Sequence, residues 1–344
     1  MNAALVSAFQ KLRELFVREV RGGDLLKALI VVGPLGVIYF VSGEEAVSDL
    51  GLIAISLLIA AFKLRLSPKL IALHLLAILV TLIALFLATS TRPLFVLLAA
   101  AAAFLAAAVT RYGEALRTVG AWAFIPALYI ACKLHEIAPS RESFRQVGIL
   151  VACAPVILAL VCAVQTHNRR HLPAQPPNSY GRASSDWLLS ASASALAVLA
   201  AAGLVERFSL AQGQWLIWSA ASVVVGDLAT STSKLKLRFI GAAIGVPLGF
   251  LMGLCLPASR IGYSLAAIGA TLTIVAFNRY VVGFGARCFF IALAATLAGS
   301  GSGIPEERVT NVLAGGAFGI IAVVLSEFAW RCFAEKSAGR SKFD

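Results

Sequence analysis

The chain has 344 residues, of which 60% are hydrophobic and 13% are charged, and its formal net charge is +12 at pH 7. This balance excludes an ordinary soluble domain, in which about a quarter of the residues are charged. Apolar runs long enough to cross a bilayer recur from end to end, and the short segments between them leave no room for a soluble catalytic domain. The sequence has no phosphate-cradling GxxxxGK[ST] loop, which excludes an ATPase of the P-loop type.

The first residues predict a basic amphipathic helix. Apolar side chains at helical spacing share one face, and basic side chains occupy the others; the apolar set is Leu5, Phe9, Leu12, Phe16 and Val20. Such a helix lies on a membrane surface, so we predict a surface helix at 1–23. A plain extension of the first membrane span is the alternative. The interrupting charges exclude a signal peptide.

Twelve apolar segments follow along the chain. They lie at 25–42, 47–62, 68–89, 93–110, 115–132, 146–165, 185–204, 211–228, 237–256, 261–277, 281–299 and 308–330. Their hydrophobicity is continuous, whereas the strands of a membrane barrel would alternate between apolar and polar residues. The sequence therefore predicts an all-α polytopic membrane protein with about twelve transmembrane helices.

An internal similarity relates the two halves of the chain. When the sequence is shifted by 168 residues, 91–112 aligns with 259–280, and seven of 22 positions are identical, including an Arg-Tyr step at the end of each segment. Each half holds six predicted spans, an even number, so both copies would cross the membrane in the same direction. We expect a first six-helix repeat at 24–166, a Pro-rich cytoplasmic linker at 167–184, a second repeat at 185–331 and a tail at 332–344.

The distribution of Lys and Arg predicts the orientation in the membrane. Numbering the connections alternately places 22 of the 29 basic residues on one side, together with both chain termini. In membrane proteins, Lys and Arg concentrate in the cytoplasmic loops, so both termini are predicted to lie in the cytoplasm. Topology and contact with anionic lipids then account for the positive charge without a nucleic-acid partner.

Glycine and cysteine residues are interpreted as packing residues. Gly241, Gly245, Gly249 and Gly253 form an every-fourth-residue ridge in the ninth span, which is typical of a close helix–helix contact. The six cysteines lie in or beside spans without CxxC spacing. No metal-ligand spacing, nucleophilic triad or cofactor motif stands out, so we expect neither enzyme activity nor a metal or cofactor.

A series of motifs in the second half resembles a known family. The series is Gln214-Trp215, the R-x-x-G-x-x-x-G pattern from Arg238, Asn278-Arg279-Tyr280, and Glu307-Arg308 followed by Asn311 and Gly315. In this order and spacing, over 185–330, it resembles the fusaric-acid-resistance family of aromatic carboxylate exporters, whose superfamily includes the plant aluminium-activated malate channels. The resemblance implies proton-coupled efflux of aromatic acids across the bacterial inner membrane. The resemblance also makes Trp215 a candidate site residue; from its position alone, this tryptophan would be interpreted as a membrane-surface residue.

Two other functions remain open at this level. One is a passive organic-anion channel of the malate type, which would carry voltage-driven flux without a pH gradient. The other is a non-transporting, lipid-binding subunit of an envelope complex, which would show no flux in vesicles. A homodimer with the site at its interface is also left open.

Three arginines are the candidate carboxylate ligands. Arg238 begins the ninth span, Arg279 precedes the eleventh, and Arg287 lies inside the eleventh. A desolvated arginine normally faces a cavity or a partner, and its planar fork suits a carboxylate. An orienting role at the membrane surface is the equally supported alternative. Arg111 holds the position of Arg279 in the first half.

Tyr280 and, in the first half, Tyr112 are the candidate contacts for an aromatic ring. Each follows an arginine, and a cation beside aromatic faces matches a benzoate-like molecule, which has one anionic edge and two flat apolar faces. The alternative is the belt of tyrosines that commonly lies at the level of lipid headgroups.

Asp227 and Glu327 are the candidates for proton coupling. Asp227 stands in SVVVGDLAT, near the predicted inner end of the eighth span, and Glu327 falls in the last turns of the twelfth. A buried carboxylate has a raised pKa and exchanges protons near neutral pH. Asp227 is the first candidate because several cations follow it closely in the sequence.

Overall fold

The computed structural model describes residues 18–136, 140–169, 184, 186–299 and 303–340. The α-helices in these ranges are α1 (Gly22–Ser42), α2 (Glu45–Leu58), α3 (Pro68–Ala88), α4 (Arg92–Ala108), α5 (Arg117–Glu136), α6 (Arg141–Arg169), α7 (Trp187–Phe208), α8 (Gln214–Val223), α9 (Leu228–Cys255), α10 (Arg260–Ala276), α11 (Tyr280–Leu297) and α12 (Gly303–Arg340). In the same ranges the extended pairing is limited to one antiparallel bridge between Val20 and Phe277. The described chain is therefore all-helical, as the continuous apolar runs predicted.

Side-chain caps set several helix boundaries. The Ser67 hydroxyl accepts a hydrogen bond from the backbone N–H of Leu70 at the start of α3. The Ser259 hydroxyl accepts one from the backbone N–H of Gly262 at the start of α10. The first N–H groups of a helix have no partner within it, so these serines stabilise the helix beginnings.

Ten helices of the described ranges, counted with adjoining π and 3-10 turns, are long and apolar enough to cross a membrane. The chain is accordingly a multi-pass membrane protein. Helix α10 follows closely with 17 residues, but α8 has only ten. The helical part of the predicted span at 211–228 is therefore shorter than predicted, about 15 Å or half of a hydrocarbon core, and the chain continues beyond it in non-helical backbone as far as Asp227.

The second helix of each half is irregular at its end. After α2 the chain continues as a π-helix over Ile59–Lys63. After α8 the chain turns extended at Val224, and α9 begins at Leu228 instead of at the predicted 237. Irregular backbone at membrane depth is tolerated where it lies inside protein or beside a cavity.

Helix packing follows a pattern that recurs at an interval of six helices. Among the first six, α1 packs on α2, α3 on α5, α4 on α5, and α2 on α6; among the last six, α7 packs on α8, α9 on α11, α10 on α11, and α8 on α12. Between the two sets, α4 packs on α7 and α10 packs on α1. The fourth helix of each set thus contacts the first helix of the other.

The glycine ridge of α9 packs directly on α11, as predicted. A Cβ atom on Gly245 would overlap the carbonyl of Gly285, and one on Gly249 would overlap the carbonyl of Phe289. The two backbones therefore touch, and van der Waals packing of this kind holds helices together where lipid removes the hydrophobic driving force. Larger side chains at these positions would separate the two helices.

Apolar side chains cover both the interior and much of the exterior. Ile53 and Leu82 are fully buried between helices, whereas Val41, Leu105 and Phe328 are each more than 60% exposed. Exposed apolar surface on this scale is unfavourable in water and suits contact with lipid tails.

The predicted domain boundaries lie only partly in the described residues. The surface helix at 1–23 is described over its last residues alone, and most of the linker at 167–184 lies outside the described ranges. Helix α6 runs into that linker, and α12 continues through most of the predicted tail at 332–344. The helices are thus longer at these ends than their apolar runs, because a helix can continue into water once it has started.

Candidate substrate site between the two sets of helices

Two cavities lie at opposite ends of α1. The narrow cavity has a volume of about 190 Å³ and is lined by the beginning of α1 and by the connection between α10 and α11. The wide cavity has a volume of about 410 Å³ and is lined by the end of α1, the start of α2, and parts of α5, α8, α10, α11 and α12. Helix α1 is about 30 Å long, so the cavities enter the bundle from opposite sides.

Arg287 lies on the walls of both cavities. It follows the start of α11 at Tyr280 by seven residues, which places it about 10 Å along the helix. Its Nε atom is buried and has no hydrogen-bond partner among the described residues. Within the described residues no ion pair includes it. This guanidinium group is therefore available to an anion that enters from either side.

An arginine over stacked aromatic rings forms one wall of the wide cavity. The guanidinium carbon of Arg308 lies 3.5 Å from the centre of the Trp215 ring. Trp215 stacks on Trp218 at 5.1 Å between ring centres and meets Tyr129 at 5.4 Å. Its indole N–H donates to Gln212 Oε1 at 3.2 Å, which fixes the ring. Arg308 is 3% exposed, and within the part of the chain that the structure describes its Nε and Nη1 atoms make no hydrogen bond.

A lysine with two carboxylates also lines the wide cavity. Lys133 Nζ lies 2.8 Å from Glu45 Oε2 and 3.0 Å from Asp49 Oδ1. The hydroxyl of Tyr39 donates to Glu45 Oε1 at 3.3 Å. Asp49 is 4% exposed, and its Oδ2 atom accepts no hydrogen bond from any residue in the described ranges. We call Glu45, Asp49 and Lys133 the acidic triad, because its formal charges sum to −1.

Arg238 is buried behind the narrow cavity. Its Nε donates to the Tyr280 hydroxyl and its Nη1 to the Ser219 hydroxyl, both at 2.9 Å, and its guanidinium carbon lies 5.1 Å from the centre of the Phe284 ring. Tyr280 and Phe284 line the narrow cavity, but Arg238 is not among its lining residues. Arg238 therefore holds Tyr280 and Phe284 in place without lining the cavity itself. The structure brings together Arg238 and Tyr280, two of the predicted site residues.

Residues 18–21 pair antiparallel with residues 276–279 in a contact that we call the clasp. Its hydrogen bonds are Arg21 N–H to Ala276 O (2.8 Å), Asn278 N–H to Glu19 O (2.9 Å), Asn278 Nδ2 to Arg18 O (2.8 Å) and Arg21 Nε to Asn278 Oδ1 (2.7 Å). Arg279, a predicted carboxylate ligand, is exposed over 62% of its side chain and forms an ion pair with Glu19 at 2.6 Å. Arg279 thus borders the narrow cavity while it joins the entry of α1 to the α10–α11 connection.

The first Arg-Tyr step makes a related contact. The guanidinium carbon of Arg111 lies 5.5 Å from the centre of the Trp187 ring, at the start of α7, and the backbone N–H of Ser184 donates to Thr110 O at 3.1 Å. Tyr112 is 74% exposed. Neither Arg111 nor Tyr112 is among the residues that line the two cavities. Each Arg-Tyr step therefore touches the segment that enters the first helix of the other set.

Asp227 does not have the buried surroundings that were predicted. It is exposed, and its carboxylate accepts hydrogen bonds from the backbone N–H of Thr230 at 2.8 Å and from the Thr230 hydroxyl at 2.9 Å. These bonds cap α9 and hold the pKa of Asp227 below its ordinary value. The expected raised pKa is wrong, because α8 ends at Val223 and leaves Asp227 in a connection.

Glu327 is half-buried beside the start of α9. Its Oε1 atom accepts a hydrogen bond from the backbone N–H of Leu228 at 3.2 Å, and its Oε2 atom lies 4.0 Å from Arg331. A carboxylate at a helix N-terminus is stabilised by the partial positive charge there. Glu327 therefore links α12 to the beginning of α9, next to the connection that holds Asp227.

Sequence reasoning passed over part of the wide cavity. Arg308 belongs to the motif series that resembles the family, but its sequence position alone did not indicate a ligand-binding role. Asp49 and Lys133 were not singled out, although each is a charge within a predicted apolar span or at its edge. Such a charge normally has a partner or faces a cavity, and that signal would have identified both.

Residues 197–322 match the family model described as fusaric acid resistance protein-like. The matched segment runs from α7 into α12 and supports the resemblance that the motif series predicted. No significant match was found among curated proteins or among solved structures.

Proposed function

Given this family match, we propose that the protein is a carrier that exports aromatic carboxylates across the bacterial inner membrane, coupled to protons. The observation that carries the proposal is Arg287, whose unpaired guanidinium group borders cavities at both ends of α1. Arginine binds carboxylates through a planar fork of donors. An anion would therefore meet the same cation whether it enters from one side of the membrane or from the other.

The wide cavity supplies the second part of the support. A benzoate-like ligand needs a cation for its anionic edge and apolar faces for its ring. Arg308 offers two buried nitrogen atoms without hydrogen bonds, beside the stacked rings of Trp215, Trp218 and Tyr129. An aliphatic acid would satisfy the arginine but leave the aromatic faces unused, so this wall favours aromatic acids.

The proposal includes two parallel six-helix repeats with both termini in the cytoplasm. The helix pairs that recur at an interval of six, and the reciprocal contacts of α4 with α7 and of α10 with α1, support the repeats. The orientation rests on the basic residues near the narrow cavity, which would face anionic lipids of the inner leaflet. The narrow cavity is then the cytoplasmic entrance and the wide cavity the exit. Both cavities lie within one chain, so the proposed path runs through a single protomer.

Substrate would enter when the clasp opens and would meet Tyr280 and Arg287. Closing the clasp behind the substrate leaves Arg287 in contact with the wide cavity, where Arg308 takes over the carboxylate. The exposed Asp227, with its lowered pKa, is unsuited to carry the coupling proton. Glu327, half-buried between α9 and α12, is the remaining candidate from the sequence for that role.

The test uses purified protein in vesicles with an imposed pH gradient and labelled benzoate. We expect gradient-driven benzoate transport, reduced more than about tenfold in Arg287→Lys, because lysine keeps the charge but not the bidentate fork. Arg207→Ala is the matched control: Arg207 is an exposed arginine at the end of α7, stacked on Phe208, and is expected to leave transport unchanged.

Other outcomes would replace the proposal. Voltage-driven flux of malate or benzoate that is indifferent to the pH gradient would indicate a passive anion channel. No flux of any organic acid, with lipid bound to the purified protein, would indicate a lipid-binding subunit. Wild-type transport in Arg287→Lys would remove Arg287 from the site.

A further inference from the structure

The charges on the wall of the wide cavity do not balance. Among the described residues that line it, the cations are Lys133, Arg287 and Arg308 and the carboxylates are Glu45 and Asp49. The formal sum is +1. A bound molecule with one negative charge would neutralise this wall, whereas a molecule with two would leave a net negative charge inside the protein.

Lys133 is already committed to the acidic triad. Both of its carboxylate partners lie within 3.0 Å, so the lysine has little capacity left for a ligand anion. The two arginines form no ion pairs within the described residues. The cavity lining therefore holds two cations that can bind an anion and a triad with a surplus negative charge.

The surplus charge is held close to the cavity. Asp49 is 4% exposed, and no group in the described part of the chain donates a hydrogen bond to its Oδ2 atom. Water does not screen a charge at such a position as it would at the surface. The carboxylate therefore repels any second anionic group that enters the wide cavity.

We propose that the acidic triad makes this site selective for monocarboxylates and excludes dicarboxylates. The inference rests on the proposed function and narrows its substrate class. One carboxylate is attracted by the two arginines and neutralises the wall. A second carboxylate would exceed the net charge of +1 on the lining and would be repelled by Asp49 and Glu45, which line the same cavity.

The test compares two ligands of nearly the same shape. Terephthalate carries a carboxylate at each end of a benzene ring, and monomethyl terephthalate carries one carboxylate and one neutral ester. Each competes at pH 7 with labelled benzoate for binding to the purified wild-type protein in detergent. We expect the monoester to compete and terephthalate to compete at least about tenfold more weakly, as for like charges several ångströms apart in a partly desolvated site.

Variants of the triad identify its contribution. Asp49→Asn changes the formal sum from +1 to +2 without a change in size, so terephthalate should gain at least about tenfold relative to the monoester. Glu45→Gln should act in the same direction and serves if Asp49→Asn does not fold. Glu44→Gln is the matched control: Glu44 is the neighbouring carboxylate, paired with Arg145 at 2.8 Å and not among the cavity-lining residues, so the ratio should stay constant.

The outcomes separate this inference from the proposed function. Equal competition by both ligands in the wild type would overturn charge selection while leaving aromatic-acid binding intact. An unchanged ratio in both triad variants, with normal benzoate binding, would show that the triad does not determine selectivity. Failure of the folded wild-type protein to bind benzoate would overturn both proposals.

Discussion

The arginines of the second set of helices differ in what surrounds their guanidinium groups. Arg238 donates to two hydroxyl groups, and Arg279 is paired with Glu19. Arg287 and Arg308 have buried nitrogen atoms without hydrogen bonds to any described residue. An anion adds the most favourable energy where donors are otherwise unsatisfied, because no existing bond must be broken. At the residue scale the proposed ligand-binding role therefore falls to Arg287 and Arg308.

Asp227 gives a prediction at the same scale. Asp227→Ala should lower the melting temperature of the purified protein at pH 7, because α9 loses its N-terminal cap. Asp227→Ser should keep the melting temperature close to that of the wild type, because a serine hydroxyl can also cap a helix. The folded pKa lies below the unfolded one, so the stabilisation is present above the unfolded pKa and is lost as the pH falls through the folded pKa. The difference in melting temperature between wild type and Asp227→Ala should shrink in strong acid.

Transport provides the second measurement on Asp227. Benzoate transport driven by a pH gradient should be unchanged in Asp227→Ser, since the side chain is exposed and outside both cavities. Loss of gradient-driven transport in this variant, with a near-normal melting temperature, would return Asp227 to the coupling mechanism.

At the scale of elements, the clasp explains why an Arg-Tyr step stands at the end of two corresponding segments. The step follows the fourth helix of each set, and that helix packs on the first helix of the other set. Arg279 reaches Glu19 before α1, and Arg111 reaches Trp187 at the start of α7. The contacts differ in strength: the clasp combines backbone pairing with an ion pair, whereas the other contact has one backbone bond and a cation–π contact.

The clasp carries a prediction. Val20 and Phe277 are bridge partners, close enough for a disulfide if both become cysteine. In a background whose six native cysteines are replaced, oxidation of Val20→Cys/Phe277→Cys should reduce benzoate transport to background, because the cytoplasmic entrance can no longer open. Reduction with dithiothreitol should restore transport. Full transport by the cross-linked protein would show that the substrate does not pass the clasp.

At the scale of the whole molecule, two opposed cavities that share one arginine suit alternating access, in which a fixed site faces each side in turn. The described structure places the wide cavity at the far end of α1 from the clasp. If the first residues are cytoplasmic, the clasped form is the one from which a bound acid would leave the cell.

The orientation itself is testable in cells. In the same cysteine-replaced background, Ser90→Cys stands in the connection between α3 and α4 and Glu114→Cys in the connection between α4 and α5; both positions are exposed. With both termini inside, a membrane-impermeant maleimide should label the Ser90 variant in intact cells and the Glu114 variant only after the cells are opened. The reverse pattern would invert the molecule and with it the proposed direction of export.

The sequence by itself determined the class of this protein. Continuous apolar runs predict helices that cross a membrane, since lipid offers the backbone no hydrogen-bond partners, and ten such helices are present in the described ranges. The motif series predicted a resemblance to the fusaric-acid-resistance family, and the match of residues 197–322 to that family model supports it. The glycine spacing in α9 predicted a close contact with another helix, because a glycine ridge permits the approach of a second backbone, and the structure identifies that helix as α11.

Only the tertiary structure decided which polar residues meet. Hydropathy reports how apolar a segment is, but not where a helix stops or which neighbour each side faces. The early end of α8 moved Asp227 from a predicted buried position to an exposed cap. The packing of helices distant in sequence brought Asp49 to Lys133 and Arg308 to Trp215. The free energy of these charges depends on burial and on partners across the bundle, which the order of residues along one helix does not specify.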